Sequence, residues 1–327
     1  MSRVSPGETC LVTGATGFVG GHLARRLARA GRPVRCLARA TSDTSLLAGA
    51  GSGIELVFGD LTDADSLGRA VEGCGSVLHC GAMVTDWATS REIEAVNVGG
   101  TRELVRAACR ASVRRFVHFS TTDVYARRSN LYALTKQAAE AQVRARAPAA
   151  VILRPATVYG PRSTEVVGAI AAALRSGSML LIDGGRAVAG LCYVDNLVDA
   201  AVLALDHPAA PGATFDVSDG LDVTWRQFTA DLAHGLGCRP PRFSLPKPVA
   251  HGVGFALEHA YRGLRATTGL RTPALLSRQA VHVLGVDQTF SAARLRATLG
   301  WEPSVGYDAG LAATLDWLRD DGAARFG

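Results

Sequence analysis

Tyr132 and Lys136 are the two residues of this sequence whose types and spacing point most directly to chemistry. Lys136 is one of only two lysines in a chain with 35 lysines and arginines, the other being Lys247. A spacing of four places both side chains on one helix face. A compact ammonium there favours the phenolate of a tyrosine, whose ordinary pKa of about 10 is poorly matched to proton transfer at neutral pH. The pair predicts a tyrosine acid/base whose pKa Lys136 lowers.

The stretch TGATGFVG (residues 13–20) predicts a site for a dinucleotide phosphate. It follows a predicted strand directly and opens a predicted helix, which is the context that a glycine fingerprint requires. Gly14 would permit the tight turn, Gly17 the close approach of a pyrophosphate, and Gly20 the packing of helix on sheet. The N–H groups of the helix start would face the phosphates. A tight strand-to-helix turn without a ligand is the alternative.

The end of the second predicted strand bears on the choice between two dinucleotides. Arg39 stands there, and a basic side chain at this place accepts a 2′-phosphate, so NADP(H) is favoured. In the alternative, Arg39 is only a solvated loop residue and Asp43 binds the ribose of NAD(H). Asp60, after the third predicted strand, is expected to accept from the adenine amino group; the alternative is an N-cap for a helix over 62–73.

Short aliphatic runs alternate with amphipathic helical stretches over the first half of the chain. The strand-like runs cover residues 9–14, 33–39, 54–60, 76–82, 115–121 and 150–155. This alternation predicts an α/β fold with a doubly wound parallel sheet, and ligands at the carboxyl ends of its strands. After about residue 160 the pattern loosens. We expect a dinucleotide-binding domain over 1–160 plus about 190–208, and a smaller C-terminal substrate-binding domain over 161–189 plus about 209–327.

Composition excludes several other classes of protein. The chain has 327 residues, of which 48% are hydrophobic and 20% charged, so it can bury a large core. Its seven cysteines are scattered without zinc-ligand spacing, which indicates neither a disulfide framework nor a metal site. The arginines are dispersed along helices, which disfavours a nucleic-acid partner. No signal peptide or membrane-spanning run is evident, so we expect a cytoplasmic protein.

A series of motifs resembles the extended branch of the short-chain dehydrogenase/reductase superfamily. The motifs, in the family's order, are TGATGFVG, GDLTD, HCGA, VNVGGT, FSTTDVY, YALTK, LRPATVYGP and YVDNLVDA. The resemblance covers residues 9 to about 205. It implies a Rossmann-type sheet, an NAD(P) cofactor, Tyr132 as acid/base with Lys136 as its tuner, and a homodimer.

The same resemblance implies roles for further residues. Thr121 matches the hydroxyl residue that hydrogen-bonds the substrate oxygen, with Ser120 as competitor and turn chemistry as the alternative for both. Asn97 matches a structural asparagine that supports the active-site backbone or a water; helix capping is its alternative. The expected cofactor contacts also include Tyr132 and Lys136, the latter at the nicotinamide ribose, and Thr16, Phe18, Val19, Leu61, Cys80, Ala82, Pro155 and Val158.

The substrate is indicated by two departures from the nucleotide-sugar enzymes of this branch. Those relatives hold a diphosphate with an arginine and an asparagine, where this chain has Ala189 and Thr157. The tail and the amphipathic stretch 252–266 look like the 3β-hydroxysteroid dehydrogenase group and its bacterial kin. We therefore expect a ketoreductase or dehydrogenase acting on an apolar or acyl-type molecule. The alternatives are a nucleotide-sugar epimerase or dehydratase with tightly held NAD and a non-catalytic NADP(H)-sensing regulator.

One departure from the extended branch concerns the substrate mouth. Only six residues, ARRSNL, separate Tyr125 from Tyr132. The family usually carries a longer loop here, which helps to form the opening of the substrate pocket.

Overall fold

The structure is a computed structural model that describes residues 7–48, 53–84, 89–126, 130–268 and 278–320. Side chains of residues 48, 258–268 and 278–279 lie outside the description. The chain divides into two compact units. The first contains Met1–Ala156, Val194–Ser218 and Ser291–Ser304, and the second Thr157–Tyr193, Asp219–Phe290 and Val305–Gly327.

Strands and helices alternate through most of the described chain. The strands are β1 (Thr9–Thr13), β2 (Val34–Ala38), β3 (Ile54–Phe58), β4 (Cys74–His79), β5 (Arg115–Phe119), β6 (Val151–Pro155), β7 (Thr157–Tyr159), β8 (Leu180–Ile182), β9 (Leu191–Tyr193), β10 (Thr214–Val217) and β11 (Phe243–Leu245). The helices are α1 (Phe18–Arg29), α2 (Ser45–Ala48), α3 (Ala64–Val71), α4 (Ser90–Glu94), α5 (Thr101–Arg110), α6 (Leu131–Arg146), α7 (Ala169–Arg175), α8 (Val194–Asp206), α9 (Trp225–Gly235), α10 (Lys247–Thr268), α11 (Arg278–Gly285), α12 (Ala293–Leu299) and α13 (Tyr307–Asp320).

A seven-stranded parallel sheet forms the centre of the first unit. Its strand order is β10-β6-β5-β4-β1-β2-β3, and each neighbouring pair is parallel. The order reverses between β1 and β4, which is the switch point where doubly wound folds bind ligands. This confirms the predicted fold class, a Rossmann-type α/β sheet, and all six predicted strands belong to it.

Burial on both faces explains why the strands are nearly continuous apolar runs. Leu11 and Val77, on the adjacent strands β1 and β4, have no exposed surface. They share one core cluster with residues of α3 and α5, including Leu67 and Leu104. Helix α1 is amphipathic, with Leu23, Ala24 and Leu27 buried. These helices hold the strands so that all their carboxyl ends lie along one edge.

The unit boundaries differ from the ones that the sequence indicated. The first unit ends at Ala156, resumes at Val194 and runs to Ser218, and it also includes 291–304. The sequence placed the corresponding boundaries at 160, about 190 and about 208. The main reason is β10, which pairs with β6 in parallel register and so adds a seventh strand that we had assigned to the other domain.

The second unit contains two small parallel sheets, β7 with β9 and β8 with β11. An aromatic cluster fills part of its core. The ring of Tyr159 lies 5.4 Å from that of Tyr193 and 5.7 Å from that of Phe228. Among the described residues of the whole chain, no helix is both long and apolar enough to cross a membrane.

Candidate active site

The glycines of the first βα turn form a cradle that side chains would fill. Gly14 has a φ of 68°, and a Cβ on it would lie 2.8 Å from Gly81 N. A Cβ on Gly20 would collide with Gly14 O, and Gly17 N–H donates to the same oxygen over 3.0 Å. These close approaches demand glycine at the turn, as the sequence indicated.

The start of α1 offers donors for an anion. Gly17 is the N-cap of α1, it makes no side-chain cap, and the first turn contains no acidic residue. The first-turn N–H groups have no intrahelical partner, and the helix dipole favours negative charge there. The residues present therefore fit a dinucleotide phosphate, with Phe18 and Val19 in this first turn and Thr16 immediately before it.

Arg39 and Asp60 follow the ends of β2 and β3 at the same edge of the sheet. Arg39 is exposed directly after β2. Asp43 Oδ1 accepts from Ser45 N over 2.9 Å, so that carboxylate already supports the start of α2. The carboxyl edge thus presents a cation after β2.

Asp60 is engaged in a local turn. Hydrogen bonds from Thr62, followed by a weaker contribution from Arg39, lower the pKa of Asp60 against an opposing effect of burial. The N-cap of α3 is Asp63, which accepts from Asp65 N and Ser66 N. The alternative of Asp60 as helix N-cap is therefore wrong, and the helix is shorter than the expected 62–73.

Tyr132 lies in the first turn of α6. Asn130 is the N-cap of this helix, and its Oδ1 accepts from Ala133 N over 2.7 Å. Tyr132 is half-buried. Its position at the positive end of the helix dipole favours a negative charge on the phenol oxygen.

Lys136 is a buried ammonium one turn further along α6. Only 3% of its surface is exposed, and Nζ donates to the carbonyl of Phe119, the last residue of β5. Burial lowers the pKa of Lys136 to about 8, against opposing effects of Cys80 and Glu140. The side chain therefore brings a cation to the carboxyl edge of the sheet at neutral pH.

The pKa of Tyr132 moves in the direction opposite to the expected one. Burial raises it above its ordinary value of 10.0, and the nearby Asp123 carboxylate raises it further. The expectation that Lys136 lowers this pKa is not met in the polypeptide, because loss of water from the phenolate and the Asp123 charge both act in the opposite direction. The phenol is consequently protonated at neutral pH.

Ser120 and Thr121 differ in their surroundings. Ser120 is buried, with 4% of its surface exposed, and its Oγ has no hydrogen-bond partner within the described residues. Thr121 is half-buried, and its Oγ1 accepts from Asp123 N over 3.2 Å at the start of the 3₁₀ turn Thr122–Tyr125. A hydroxyl oxygen that accepts in this way keeps its own proton free to donate.

Asn97 joins the loop after β4 to helix α6. Its Oδ1 accepts from Met83 N over 2.7 Å, and its Nδ2 donates to Met83 O and Thr135 Oγ1, each over 3.1 Å. The side chain is 1% exposed within the π-helical turn Ala95–Gly100. Asn97 therefore supports backbone beside the candidate site and does not cap a helix.

His79, a residue that we did not select from the sequence, lies at the centre of a buried hydrogen-bond chain. Thr101 Oγ1 donates to Asn97 O over 2.7 Å, so it accepts from His79 Nε2 over 2.8 Å. His79 Nδ1 then accepts from Thr13 Oγ1 over 2.7 Å, and Thr13 Oγ1 accepts from Gly81 N. Burial, and then Lys136, lower the pKa of His79 to about 3. This neutral imidazole ties the glycine turn to the Asn97 segment.

A second missed feature holds the segment after β5 against α6. Gln137 Nε2 donates to Val124 O over 2.6 Å. Glu140 receives bonds from Arg154 Nε over 2.8 Å and Nη2 over 2.6 Å. Burial raises the pKa of Glu140, but hydrogen bonds from Arg154 and Arg144 outweigh it and lower the pKa overall. In the sequence, the only indication of this arrangement was the spacing of four residues, which places Glu140 on the same helix face as Lys136.

The other expected contact residues fall in two groups. Those of the first unit lie at or just beyond the carboxyl ends of strands: Leu61, Cys80, Ala82 and Pro155. Val158 lies on β7 of the second unit. In that unit Ala189 is fully buried, and its N–H donates to Val223 O over 2.9 Å.

Metal and disulfide chemistry have no support in the described residues. Within them, no group of three or more His, Cys, Asp or Glu side chains is placed to hold a metal ion. All seven cysteines are free thiols. Burial raises the pKa of Cys36 to about 12, with Cys10 contributing further, so this thiol is unreactive at neutral pH.

Comparison with known proteins defines the class. The model of the NAD dependent epimerase/dehydratase family matches residues 10–218. The chain belongs to this family, within the extended short-chain dehydrogenases/reductases, and it is an NAD(P)-dependent oxidoreductase acting on CH–OH groups.

Individual relatives match along nearly the whole chain. A 4-hydroxy-2-methyl-3-oxo-4-farnesyl-3,4-dihydroquinoline-1-oxide ketoreductase of Stigmatella aurantiaca is 29% identical, covering 96% of each chain. A 3 beta-hydroxysteroid dehydrogenase/Delta 5-->4-isomerase of Mycobacterium tuberculosis is 31% identical over 90% of this chain and 85% of the relative. The solved structure of DesIV, a dTDP-glucose 4,6-dehydratase of Streptomyces venezuelae with NAD bound, matches with a TM-score of 0.76. At 24% identity over 97% of this chain and 99% of that one, it supports the fold alone.

Proposed function

We propose that this protein interconverts a secondary alcohol and a ketone on a largely apolar or acyl-type small molecule, with NADP(H) as the favoured cofactor. The observation that carries the proposal is the buried Lys136, which donates to Phe119 O one helical turn after Tyr132. Phe119 ends β5 at the carboxyl edge that also carries the glycine cradle, so the position of Lys136, with Tyr132 one turn before it, supports the proposal.

The proton is the part of the reaction that the polypeptide supplies. A bound nicotinamide provides or accepts the hydride. Tyr132 donates its proton to the carbonyl oxygen during reduction and takes it back during oxidation. Because burial and Asp123 raise the pKa of Tyr132, the protonated form required for reduction is the resting form at neutral pH. The Lys136 ammonium and the helix dipole then stabilise the phenolate that results.

Thr121 is the residue that we assign to the same substrate oxygen. Its hydroxyl accepts from Asp123 N and so retains a proton for a second hydrogen bond. Ser120 is the competing hydroxyl; it is buried, with 4% of its surface exposed, whereas Thr121 is half-buried and therefore more open to a substrate. Two donors on one oxygen polarise the carbonyl more strongly than one.

The preference for NADP(H) over NAD(H) is supported by charge. Arg39 follows β2 on the surface, whereas the nearby Asp43 carboxylate already accepts from Ser45 N. A 2′-phosphate needs a cation at this place. We assign Gly14, Gly17, Gly20 and Arg39 to cofactor binding.

Two features support an apolar substrate: the alanine at position 189 of the second unit and the names of two relatives. Ala189, where nucleotide-sugar enzymes are expected to carry an arginine, is fully buried and its backbone is hydrogen-bonded within the unit. The two relatives described above carry names of steroid and farnesyl-quinoline oxidoreductases. Both features favour this substrate class over a sugar diphosphate.

A panel assay tests the proposal. Purified protein is mixed with NADPH, and in parallel with NADH, and offered steroid-like ketones and 3-oxoacyl compounds while loss of reduced nicotinamide is followed. Thermal shift with UDP- and dTDP-sugars runs beside it. Turnover of an apolar ketone, faster with NADPH, is the expected result. Tightly co-purified NAD and stabilisation by a nucleotide sugar, without ketone turnover, would favour an epimerase or dehydratase instead.

Oligomeric state and location stay predictions from the sequence. We expect a homodimer and a cytoplasmic protein, and we expect no nucleic-acid partner. Sedimentation velocity of the purified chain and fractionation of the producing cells measure the first two.

A further inference from the structure

Residues 239–257 of the second unit carry an unusual concentration of exposed apolar surface. Ten large hydrophobic residues are exposed in the described part of the chain, and five of them lie in this short segment. Their exposed fractions are 68% for Phe243, 50% for Val249, 39% for Val253, 51% for Phe255 and 39% for Leu257. Single exposed apolar residues are ordinary on a protein surface, but several that share one side of a helix, as Val249, Val253 and Leu257 do, indicate an interaction site.

In residues 247–257, the part of α10 whose side chains are described, the large apolar residues lie beside the buried stripe and are themselves exposed. Val249, Val253 and Leu257 follow one another at intervals of four, so they form one stripe along the helix. The stripe that packs inward consists of the small residues Ala250 and Gly254, both buried. Ala250 contacts a small core cluster with Ile182 and Val281. A helix that only covered a core would turn its large apolar residues inward.

The charged residues from 239 to 257 are all basic, and the nearest acidic residues on either side in the sequence are Asp231 and Glu258. No Asp or Glu occurs in the sequence from residue 232 to residue 257. The same stretch contains Arg239, Arg242 and Lys247, and both arginines are exposed. The backbone at the start of α10 is held by Asp183, whose Oδ1 accepts from Lys247 N over 2.9 Å. The exposed stripe and the two exposed arginines, both within residues 239–257, together have the chemistry that complements an anionic, apolar partner.

We propose that α10 and the preceding residues 239–246 bind the surface of an anionic lipid bilayer. The apolar stripe would enter the boundary between headgroups and acyl chains, and Arg239 and Arg242 would contact lipid phosphates. Helix α10 has 22 residues but is not apolar enough to cross a membrane. In the proposal, residues 247–257 of this helix would lie in the plane of the interface. This surface acts independently of the proposed redox chemistry, and it would bring the enzyme to the place where apolar substrates dissolve.

Vesicle flotation with the full chain tests the proposal. The probes are vesicles of phosphatidylcholine alone and of phosphatidylcholine mixed with phosphatidylglycerol. We expect binding to the mixed vesicles that weakens as salt rises, because surface charges are screened within about 8 Å at physiological ionic strength. Absence of binding to the mixed vesicles at low salt overturns the proposal.

Two matched substitutions localise the binding. Leu257→Asp and Leu56→Asp replace leucines with the same 39% exposure, and Leu56 lies on β3 of the other unit. Leu257→Asp should weaken vesicle binding at least about tenfold, because one apolar anchor is lost and a like charge faces the lipid. Leu56→Asp should leave binding unchanged. Equal effects of the two substitutions would contradict the assignment to α10.

The arginines give a separate test of the electrostatic part. The double variant Arg239→Gln/Arg242→Gln should bind mixed vesicles roughly 25-fold more weakly, at about 1 kcal/mol per basic residue near the surface. Its circular dichroism and its NADPH affinity should match those of wild type, which separates loss of binding from loss of fold. Unchanged affinity for the mixed vesicles would refute the role of these arginines.

A second copy of the chain is the competing occupant of this stripe. If wild type sediments as a dimer, Leu257→Asp as a monomer, and neither floats with vesicles, the stripe joins two copies and the membrane proposal fails. Tyr132→Phe should float as wild type does whether or not the proposed redox function is correct, so the two proposals fail separately.

Discussion

Lys136 makes a quantitative prediction about stability, because its pKa differs between the folded and unfolded chain. The ordinary pKa of this lysine is 10.5, and burial lowers it to about 8 in the fold. The folded chain therefore gives up this proton at lower pH than the unfolded chain does. Between about pH 8 and pH 10.5 the unfolded chain binds more protons, so Lys136 makes the free energy of unfolding rise with pH.

The size of this effect follows from the difference of about 2.5 between the two pKa values. At about 1.4 kcal/mol for each unit, the free energy of unfolding should gain about 3 kcal/mol from Lys136 between pH 7 and pH 10.5. The sign is positive because the cost of burying the ammonium disappears once the group is neutral. Lys136→Met removes the titrating group and so removes this gain.

Urea unfolding at several pH values measures the prediction. The difference in free energy of unfolding between wild type and Lys136→Met should shift by about 3 kcal/mol in favour of wild type over that range. Other titrating groups cancel in the difference. Lys136→Arg is the matched control, because a guanidinium keeps its charge throughout and should give no rise. A difference between wild type and Lys136→Met that stays constant with pH would refute the depressed pKa.

Three further substitutions test the site. Thr121→Val should lower kcat at least about 10-fold by removing one donor from the substrate oxygen, whereas Ser120→Ala should change kcat little. If steady-state kinetics showed the larger loss for Ser120→Ala, Ser120 and not Thr121 would be the residue that hydrogen-bonds the substrate oxygen. Gly20→Ala should weaken NADPH binding, measured by titration calorimetry, at least about 10-fold, because its methyl group would collide with Gly14 O and displace the cradle. Gly68→Ala is the control: its methyl group would meet nothing within 4 Å, so this variant should bind NADPH normally. Arg39→Ser should raise the Kd of NADPH about 10-fold, the loss of one charge-assisted contact, and leave NADH unchanged; equal losses for both would remove the basis for the NADP(H) preference.

The sequence predicted the parts of this protein that depend on local pattern. Alternating apolar runs and helical periods located the six strands, and the glycine turn needed only its place after β1. Tyr132 and Lys136 share a helix, so their spacing was enough to put them on one face. Local signals of this kind are decided within a few residues.

Features that depend on distant contacts were missed. His79 bonds to Thr13 and Thr101, which are 66 and 22 residues away. Strand β10 joins the main sheet beside β6 although about 60 residues separate them in the chain, as later strands of doubly wound folds do.

The direction in which the pKa of Tyr132 shifts could also not be predicted from the sequence. Desolvation is set by the surroundings in three dimensions, and i, i+4 spacing describes only one neighbour. A cation on the same helix face was read as decisive, whereas burial together with Asp123 determines the sign.

Tyr132→Phe gives the most direct test of the proposed chemistry. The substitution deletes one hydroxyl oxygen and keeps the ring in the first turn of α6, so the fold and the glycine cradle should persist. We predict that kcat for the best ketone falls at least about 100-fold, while the Kd for NADPH measured by calorimetry stays within about twofold of wild type. A variant that turns over the ketone as fast as wild type would contradict the assignment of the proton to Tyr132.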